Sequence, residues 1–214
     1  SAPEGVDAMV LADQARNSEV GHFHIASDDI RLSTLTECLS FFAPDVTVLP
    51  FPAWDCLPYD RVSPHADVVA RRMHVLLRLA AVGKEAEAGP RAIITTASSI
   101  LQRVPPVSAF RGMVREIKPG SRLDTEELAG ELTRTGYQRA EQVMEPGEFA
   151  IRGGLIDLFP PGHEDPIRLD LFGDEVEALR AFDPISQRTT GPVKRLRLIP
   201  MSEAVLSRDA ISRF

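Results

Sequence analysis

The sequence contains few of the features that mark secreted, membrane or nucleic-acid-coating proteins. Its two cysteines, Cys38 and Cys56, are too few for a disulfide framework and fit a reducing cytoplasm. No run of about 18 apolar residues occurs, which excludes a membrane-spanning helix. The N-terminal SAPEGVDAMV has no basic region followed by an apolar core, so we expect no signal peptide. Asp and Glu outnumber Lys and Arg by 31 to 24, and this acidic balance argues against nucleic-acid binding by bulk charge. These absences predict a cytoplasmic globular protein.

Signatures of nucleotide, metal and covalent chemistry are also missing. A P-loop requires a GxxxxGK[ST] segment. None of the three lysines, Lys84, Lys118 and Lys194, lies in a glycine-rich loop, and no GxGxxG segment occurs. His22 and His24 would share one face of a strand, but a third metal ligand at suitable spacing is lacking. The chain has no GxSxG nucleophile elbow. We therefore expect no catalytic residue, no metal site and no cofactor site.

The first half of the chain alternates between strand-like and helix-like segments. Short apolar or β-branched segments at 22–26, 46–49 and 92–96 predict strands, with Val48 and Ile93 on central ones. Three helices are predicted between and after them. The first is capped by Ser27 and ends at Pro44, and its apolar face carries Ile30, Leu35, Leu39 and Phe42. The second begins at Ser63-Pro64, with Val69, Met73, Leu76, Leu77 and Ala80 on its apolar face, and the third is a short helix over 98–104. This βαβα order predicts a parallel sheet covered by helices.

A proline-rich loop at 50–64 separates two of these segments. Its proline residues fix the backbone at low entropic cost, and a bare tryptophan would leave a large apolar area in water. We therefore expect Trp54, Leu57 and Tyr59 to be at least partly buried against the helix that follows. A fully exposed Trp54 would instead indicate a docking surface.

After Pro106 the pattern changes to strands and turns. An amphipathic helix is predicted over 125–135, closed by Gly136. The predicted strands are 113–117, 139–144, 148–159, 167–172, 175–182 and 194–199, with turns at 119–120, 145–147, 160–162 and 173–174. This pattern predicts a meander of antiparallel strands, and hence an α+β domain inserted after the α/β half.

One predicted strand carries an unexpected residue on its polar side. In the segment 167–172 the apolar residues alternate onto the core side, which leaves Arg168, Asp170 and Phe172 on the opposite side. In the segment before it, Arg152 alternates away from its apolar neighbours, and Gly153-Gly154 indicates a bulge or a close backbone approach. Arginine together with an aromatic ring is typical of a protein interface. A phenylalanine covered by a neighbouring helix or loop, with solvated arginines, explains the pattern equally well.

Four segments of the sequence resemble a known family. They are FPAWDCLPYDRVSPHADVVARRM (51–73), LQRVPP (101–106), GYQRAEQVMEPGEFAIRGGLIDLFPPG (136–162) and IRLDLFGDEVEALRAFDPISQRT (167–189). They are similar to the N-terminal, UvrB-like module of the bacterial transcription-repair coupling factors, the Mfd family. RGGLIDLFP and RLDLFGDEVEALRAFDP also look like the UvrA-binding domain of UvrB. The resemblance covers nearly the whole chain without large gaps.

The resemblance implies a fold of two domains and the start of a third. Residues 1–113 would form an α/β domain with a parallel sheet, related to a helicase motor domain but lacking a P-loop. In UvrB that loop lies near the start of the domain, where this chain has APEGVDA (2–8) without GK[ST]. Residues 114–195 would form the inserted α+β domain of antiparallel strands that binds UvrA, and residues 196–214 would begin a domain that returns to the first.

The resemblance also implies a function. The family recruits UvrA to RNA polymerase stalled at DNA damage, in nucleotide excision repair, and this part would be a non-catalytic docking module. The family's UvrA-contacting positions fall on Arg152, Arg168 and Phe172. In the family protein, ATP would serve motor domains that lie outside this chain, and RNA polymerase and DNA would bind other domains. A C-terminal domain of the family protein is a candidate for masking the docking face.

Two other functions stay open at this point. The first is a residual nucleotide-binding or helicase-type domain, which the missing P-loop lysine disfavours. The second is a damaged-DNA-binding module, since UvrB-like proteins contact DNA. UvrB uses a β-hairpin for that contact, but the segment between Leu79 and Arg91 contains no aromatic-rich insertion, only KEAEAG.

Overall fold

A computed structural model describes the chain over residues 4–56, 63–81, 89–110 and 113–203. The chain divides into two compact units. Unit 1 comprises Ser1–Pro64 and Val75–Val104, and unit 2 comprises His65–His74 and Pro105–Phe214. The expected mixture of helices with a parallel sheet and antiparallel strands is confirmed. The kinship with helicase motor domains and the boundaries of the UvrB-type domains stay predictions.

Unit 1 is built on a three-stranded parallel sheet in the order β1-β3-β2. Its strands are β1 (His22–Ala26), β2 (Thr47–Phe51) and β3 (Arg91–Thr96). Ile93 on β3 pairs with Phe23 on one side and Leu49 on the other, so this residue is on the central strand as expected. The same expectation for Val48 is wrong, because β2 is an outer strand of this sheet.

The helices that accompany this sheet are α1 (Glu4–Arg16), α2 (Asp29–Phe42), α3 (Ala66–Ala80) and α4 (Ala97–Ile100). The division between the units passes within α3. Helix α3 begins at Ala66, whereas the sequence predicts a start at Ser63-Pro64. The short helix α4 ends four residues before the predicted end at 104.

The start of α2 differs from the sequence expectation. Asp28, not Ser27, caps the helix: its carboxylate accepts the Arg31 N–H at 2.7 Å, while the Ser27 hydroxyl donates to the same carboxylate at 2.8 Å. The helix buries Leu32, Leu35 and Leu39. The predicted Ile30 lies on another face and is 81% exposed, because the buried positions recur from Leu32 at helical spacing.

Unit 2 contains a six-stranded sheet in the order β10-β9-β8-β7-β6-β5, in which the last five strands along the chain form the predicted antiparallel meander. Its strands are β5 (Gln138–Arg139), β6 (Glu148–Arg152), β7 (Leu155–Leu158), β8 (Ile167–Phe172), β9 (Glu175–Phe182) and β10 (Thr189–Pro192). Neighbouring strands are antiparallel except β5 and β6, which are parallel. A further antiparallel pair joins β4 (Arg115–Ile117) to β11 (Leu196–Leu198).

Two predicted strands of unit 2 have different limits in the structure. The segment 139–144 contributes a strand only at its start, in β5. The segment 148–159 is a hairpin rather than one strand, since Gly153-Gly154 forms a two-residue turn between β6 and β7. Gly153 has φ +59°, a left-handed conformation that glycine adopts without steric cost.

The core of unit 2 lies between this sheet and helix α5 (Thr125–Arg134). Leu128 and Leu132 of the helix are fully buried in one cluster with Ile156 and Leu169 of the sheet. A buried ion pair also belongs to this unit: Nε of Arg72, a fully buried residue, donates to Glu203 Oε1 at 2.6 Å.

Several sequence expectations concern other parts of the chain. Trp54 is partly buried, and its backbone N–H donates to Gln102 Oε1 at 3.0 Å. Its expected packing against the helix that follows stays a prediction. Leu57 and Tyr59 lie outside the described residues. The same is true of residues 82–88, where the UvrB hairpin would lie, and of residues 204–214 in the predicted third domain. No helix within the described ranges has the length and apolar character needed to cross a bilayer.

Candidate functional site

The sheet of unit 2 has two chemically different faces. Side chains of the row Ile151, Ile156, Leu169 and Leu179 point to α5 and the core. The row Ala150, Asp157, Arg168 and Arg180 therefore points the other way, as do Arg152, Asp170 and Phe172 by alternation along their strands. We call this second side the outer face. All three residues singled out in the sequence, Arg152, Arg168 and Phe172, lie on it.

A buried carboxylate lies at the centre of the outer face. The Asp157 side chain is 1% exposed and binds two guanidinium groups. Arg168 donates from Nε to Oδ1 at 2.7 Å and from Nη2 to Oδ2 at 2.9 Å, while Arg152 donates from Nη2 to Oδ2 at 2.6 Å. The contact with Arg168 is bidentate, which fixes the plane of the guanidinium as well as its position. Sequence reasoning missed Asp157: the acid within the apolar run LIDLF marks the position as unusual, but it does not show what covers the side chain.

Arg168 is held on three sides and is mostly covered. Its side chain is 17% exposed, and its Cζ lies 4.7 Å from the ring centroid of Phe182. Its Nη1 also donates to the Gln187 carbonyl at 3.4 Å. The hydrogen bond to Asp157 raises the pKa of Arg168 above its ordinary value, so the group stays cationic throughout the physiological range.

Part of the outer face is covered by the protein itself. A small apolar cluster there buries Val143, Ala150, Phe159 and Phe182. The Gln187 side chain donates to the Val143 carbonyl at 3.2 Å and to the Pro184 carbonyl at 2.6 Å, which ties two chain segments together beside the cluster. The expectation that the three residues share one solvent-facing side therefore needs correction for Arg168, because Phe182 and the Gln187 segment cover it.

Phe172 and Arg152 lie at the same end of the outer face. The Phe172 side chain is 77% exposed at the end of β8, and the Arg152 side chain is 45% exposed at the end of β6. The turn after Arg152 is bonded to the strand that carries Phe172, since the Leu171 N–H donates to the Gly154 carbonyl at 2.8 Å. A Cβ on Gly154 would lie 2.9 Å from the Leu171 carbonyl oxygen. Glycine is therefore required for this close approach, one of the two alternatives that the sequence left open.

A second ion pair extends the outer face. Arg180 Nη1 lies 3.2 Å from Asp170 Oδ2, and the arginine side chain is 52% exposed. The arginines at 152, 168 and 180 and the aspartates at 157 and 170 together carry one net positive charge. An exposed aromatic ring beside arginines that retain unused N–H donors can bind a partner surface that offers an apolar pocket and acidic groups.

Unit 1 contains an open cavity of about 500 Å³ between α1, β1 and α2. Its lining includes His24, whose pKa is lowered by burial and, less strongly, by the neighbouring His22. It also includes Asp7 and Arg31, which form an ion pair with each other. Within the described parts of the chain, no three His, Cys, Asp or Glu side chains cluster as metal ligands would. Cys38 and Cys56 are not joined by a disulfide.

Comparison with known proteins gives the family context of this face. The family model for the UvrB interaction domain matches residues 116–203, which include all three outer-face residues that the sequence singled out. The transcription-repair-coupling factor of Escherichia coli is 39% identical over 170 residues, 79% of this chain. The factors of Haemophilus influenzae and Myxococcus xanthus are 34% and 36% identical, each over 199 residues, or 93% and 88% of this chain.

These relatives are much longer than the chain described in this structure. The chain spans 14% of the Escherichia coli factor, 17% of the Haemophilus influenzae factor and 16% of the Myxococcus xanthus factor. The similarity therefore concerns one segment of a larger protein. Residues 116–203 thus match the UvrB interaction domain family, and the chain as a whole is similar to one segment of the transcription-repair-coupling factors.

Proposed function

We propose that the chain is a non-catalytic docking module that binds UvrA through the outer face of unit 2. The observation that carries this proposal is the exposed Phe172 ring at the same end of the outer face as Arg152, on the part of the chain that matches the UvrB interaction domain. A ring that is 77% exposed on a sheet face contributes little to the core, and its place on the arginine-bearing face of the matched domain supports a role in binding a partner.

The relatives suggest the wider role. In a longer transcription-repair-coupling factor, this docking would bring UvrA to RNA polymerase stalled at DNA damage, while ATP-driven translocation and contacts with DNA and polymerase would belong to other parts of that protein. We propose residues 114–195 as the UvrA-binding domain and residues 1–113 as a helicase-like α/β domain without a nucleotide site.

Truncating the exposed ring tests the docking proposal. Phe172→Ala should change the free energy of unfolding by less than about 0.5 kcal/mol, because the ring makes few contacts in the isolated chain. It should weaken UvrA binding by about 30-fold or more, the loss expected when an aromatic interface anchor is removed. Titration calorimetry with purified UvrA measures the affinity, and thermal melts measure folding.

Phe41→Ala is the matched control for this experiment. Phe41 is 78% exposed on α2 of unit 1, so the same side chain is removed at nearly the same exposure but from the other unit. Its affinity for UvrA should equal that of the unmodified chain. Docking through the outer face would be wrong if Phe172→Ala bound UvrA as tightly as Phe41→Ala does.

The two alternative functions make different predictions for the same chain. A rise in melting temperature on addition of ATP would support a nucleotide-binding domain. Salt-dependent binding of duplex DNA would support a DNA-binding module, although the net charge of −7 gives no bulk attraction to phosphates.

A further inference from the structure

The carboxylate of Asp157 occupies an unusual position for a charged group. Asp157 lies on the central part of the outer face, paired in register with Ala150 of β6 and Arg168 of β8. Its side chain is 1% exposed although it points away from the main core of unit 2. Removing a carboxylate from water is costly unless its oxygens are hydrogen-bonded to cations, and here two arginines supply those bonds.

The hydrogen bonds of Asp157 determine where the two guanidinium groups lie. Arg168 uses Nε and Nη2 on separate oxygens, at 2.7 Å and 2.9 Å, and Arg152 binds Oδ2 at 2.6 Å. One Asp157 oxygen is thus shared by both arginines. Without the carboxylate between them, the two cations would repel each other, and the long Arg152 side chain would be free to adopt many rotamers.

The fixed Arg152 side chain retains donors for a partner. A guanidinium has five N–H donors, and one from Arg152 is directed to Asp157. The side chain is 45% exposed at the end of the sheet that also carries Phe172. A partner that binds there meets an arginine whose position is already set, so less conformational entropy is lost on association.

We propose that Asp157 is a positioning residue for partner binding: it holds Arg152 and Arg168 in the arrangement that docks beside Phe172. The inference rests on the proposed function and deepens it, because it assigns a role to a buried residue that does not itself touch the partner. Asp157 acts through the two arginines, whose charge-assisted hydrogen bonds to acidic groups of the partner depend on their orientation.

Asp157→Asn tests this inference with little change of volume. The amide keeps one acceptor oxygen but loses the negative charge and one of the two oxygens that Arg168 binds, so it holds the two cations less firmly. UvrA affinity should fall about tenfold or more, as expected when charged interface groups lose their orientation. Asp170→Asn is the matched control, because Asp170 lies on the same face and pairs with Arg180 rather than with the two docking arginines. Its affinity should change by less than about twofold, because the hydrogen bonds that fix Arg152 and Arg168 go to Asp157 and not to Asp170.

A double-mutant cycle separates positioning from a purely structural role. Arg152→Ala removes a group through which Asp157 acts while leaving the bidentate Arg168 contact in place. If Asp157 positions Arg152, the combined loss of affinity in Asp157→Asn/Arg152→Ala should be at least about threefold smaller than the product of the two single losses. Losses that simply multiply would show that Asp157 acts independently of Arg152 and would overturn the inference.

A second variant keeps the test possible if Asp157→Asn does not fold. If Asp157→Asn is not folded at the temperature of the titration, Asp157→Glu takes its place, since it keeps the buried charge but displaces it by one methylene group. It should weaken UvrA binding by about threefold or more, because the displaced carboxylate moves both guanidinium groups. Unchanged affinity of this variant would also overturn the inference.

The experiment distinguishes this inference from the proposed function. If Phe172→Ala weakens UvrA binding and folded Asp157→Asn does not, docking at the outer face stands and the positioning role is wrong. If neither variant affects UvrA binding, docking at the outer face and the positioning role are both wrong.

Discussion

At the scale of single residues, burial changes how the arginines of the outer face can be tested. Arg168 and Arg152 have the same chemistry and the same carboxylate partner, but the Arg168 side chain is 17% exposed and the Arg152 side chain is 45% exposed. Arg168 also covers the Phe182 ring. A change at Arg168 therefore affects folding as well as docking, whereas Arg152 reports mainly on docking.

A charge reversal at Arg168 should destabilise the protein. Arg168→Glu would place a second carboxylate against the buried Asp157 and remove its bidentate partner, and breaking a buried ion pair costs about 3–5 kcal/mol. Urea unfolding measures this loss directly. Arg122→Glu is the control, because the side chains of Arg122 and of its ion-pair partner Asp174 are 78% and 66% exposed, and its free energy of unfolding should change by less than about 1 kcal/mol. Equal stability of the two variants would show that the Asp157–Arg168 pair does not stabilise unit 2.

At the scale of elements, α5 supports the sheet from the side opposite to the docking residues. The Asp124 carboxylate caps this helix by accepting the N–H groups of Glu126 and Glu127, both at 2.9 Å. Leu128 and Leu132 then place the apolar side of the helix in the core of unit 2. The cap thus fixes the start of the element on which the sheet packs.

Removing this cap should destabilise unit 2 modestly. Asp124→Ala leaves two N–H groups of the first turn without their acceptor and should lower the free energy of unfolding by about 1 kcal/mol. Asp124→Asn retains an acceptor oxygen and should lose only part of that energy, which makes it the control in the same urea titration. Binding of UvrA per folded molecule should be unchanged in both variants. A cavity in the core typically costs about 3 kcal/mol or more. A loss of that size in Asp124→Ala would mean that Asp124 does more than cap the helix.

The strands illustrate which elements a sequence can predict. Strand β8 follows the period-two alternation of 167–172, and the same alternation places Phe172 and Arg168 on one face. The segment 148–159 was predicted as one strand, but its apolar positions change parity at Gly153-Gly154, from Phe149 and Ile151 to Ile156 and Leu158. That change of parity is the signal of a hairpin, because only a turn brings all four side chains to one face.

The buried state of Asp157 was beyond the reach of the sequence. Alternation assigns it to the polar side of β7, and a polar side is ordinarily solvated. Its burial arises from Arg152 and Arg168 above it and from the segments that contain Val143 and Gln187, all of which come from other parts of the chain. Long-range coverage of this kind depends on the tertiary structure and leaves no local pattern.

At the scale of the whole molecule, each unit contains a histidine that folding keeps neutral. Burial lowers the pKa of His163 in unit 2 and of His24 in unit 1 below the ordinary value of 6.5. Both histidines therefore bind protons more readily in the unfolded chain. Stability contributed by the neutral rings is complete above pH 6.5 and is lost as the pH falls through the lowered pKa of each folded histidine.

Acidification should accordingly destabilise the protein. The melting temperature should be constant near pH 7.5 and should fall as the pH is lowered from 6.5 towards 5. His163→Gln should make this fall shallower, since it removes one of the two rings whose pKa is lowered by burial. A melting temperature that does not change over this range would contradict the burial argument.

The pairing of β4 with β11 has a mechanical consequence. Arg115 is opposite Leu198 and Ile117 is opposite Leu196, so the chain enters and leaves this pair of strands side by side at the same end. Tension applied along the backbone on the two outer ends would open this short ladder one residue pair at a time, as a zipper opens. The six-stranded sheet lies between β4 and β11 in the sequence. The chain after β11 is also bonded to this intervening segment, because the Met201 N–H donates to the Thr135 carbonyl at 2.8 Å and the Tyr137 hydroxyl donates to the Ile199 carbonyl at 2.7 Å. The ladder and these two bonds would therefore share any load placed on the two ends of the segment that contains Arg152 and Phe172.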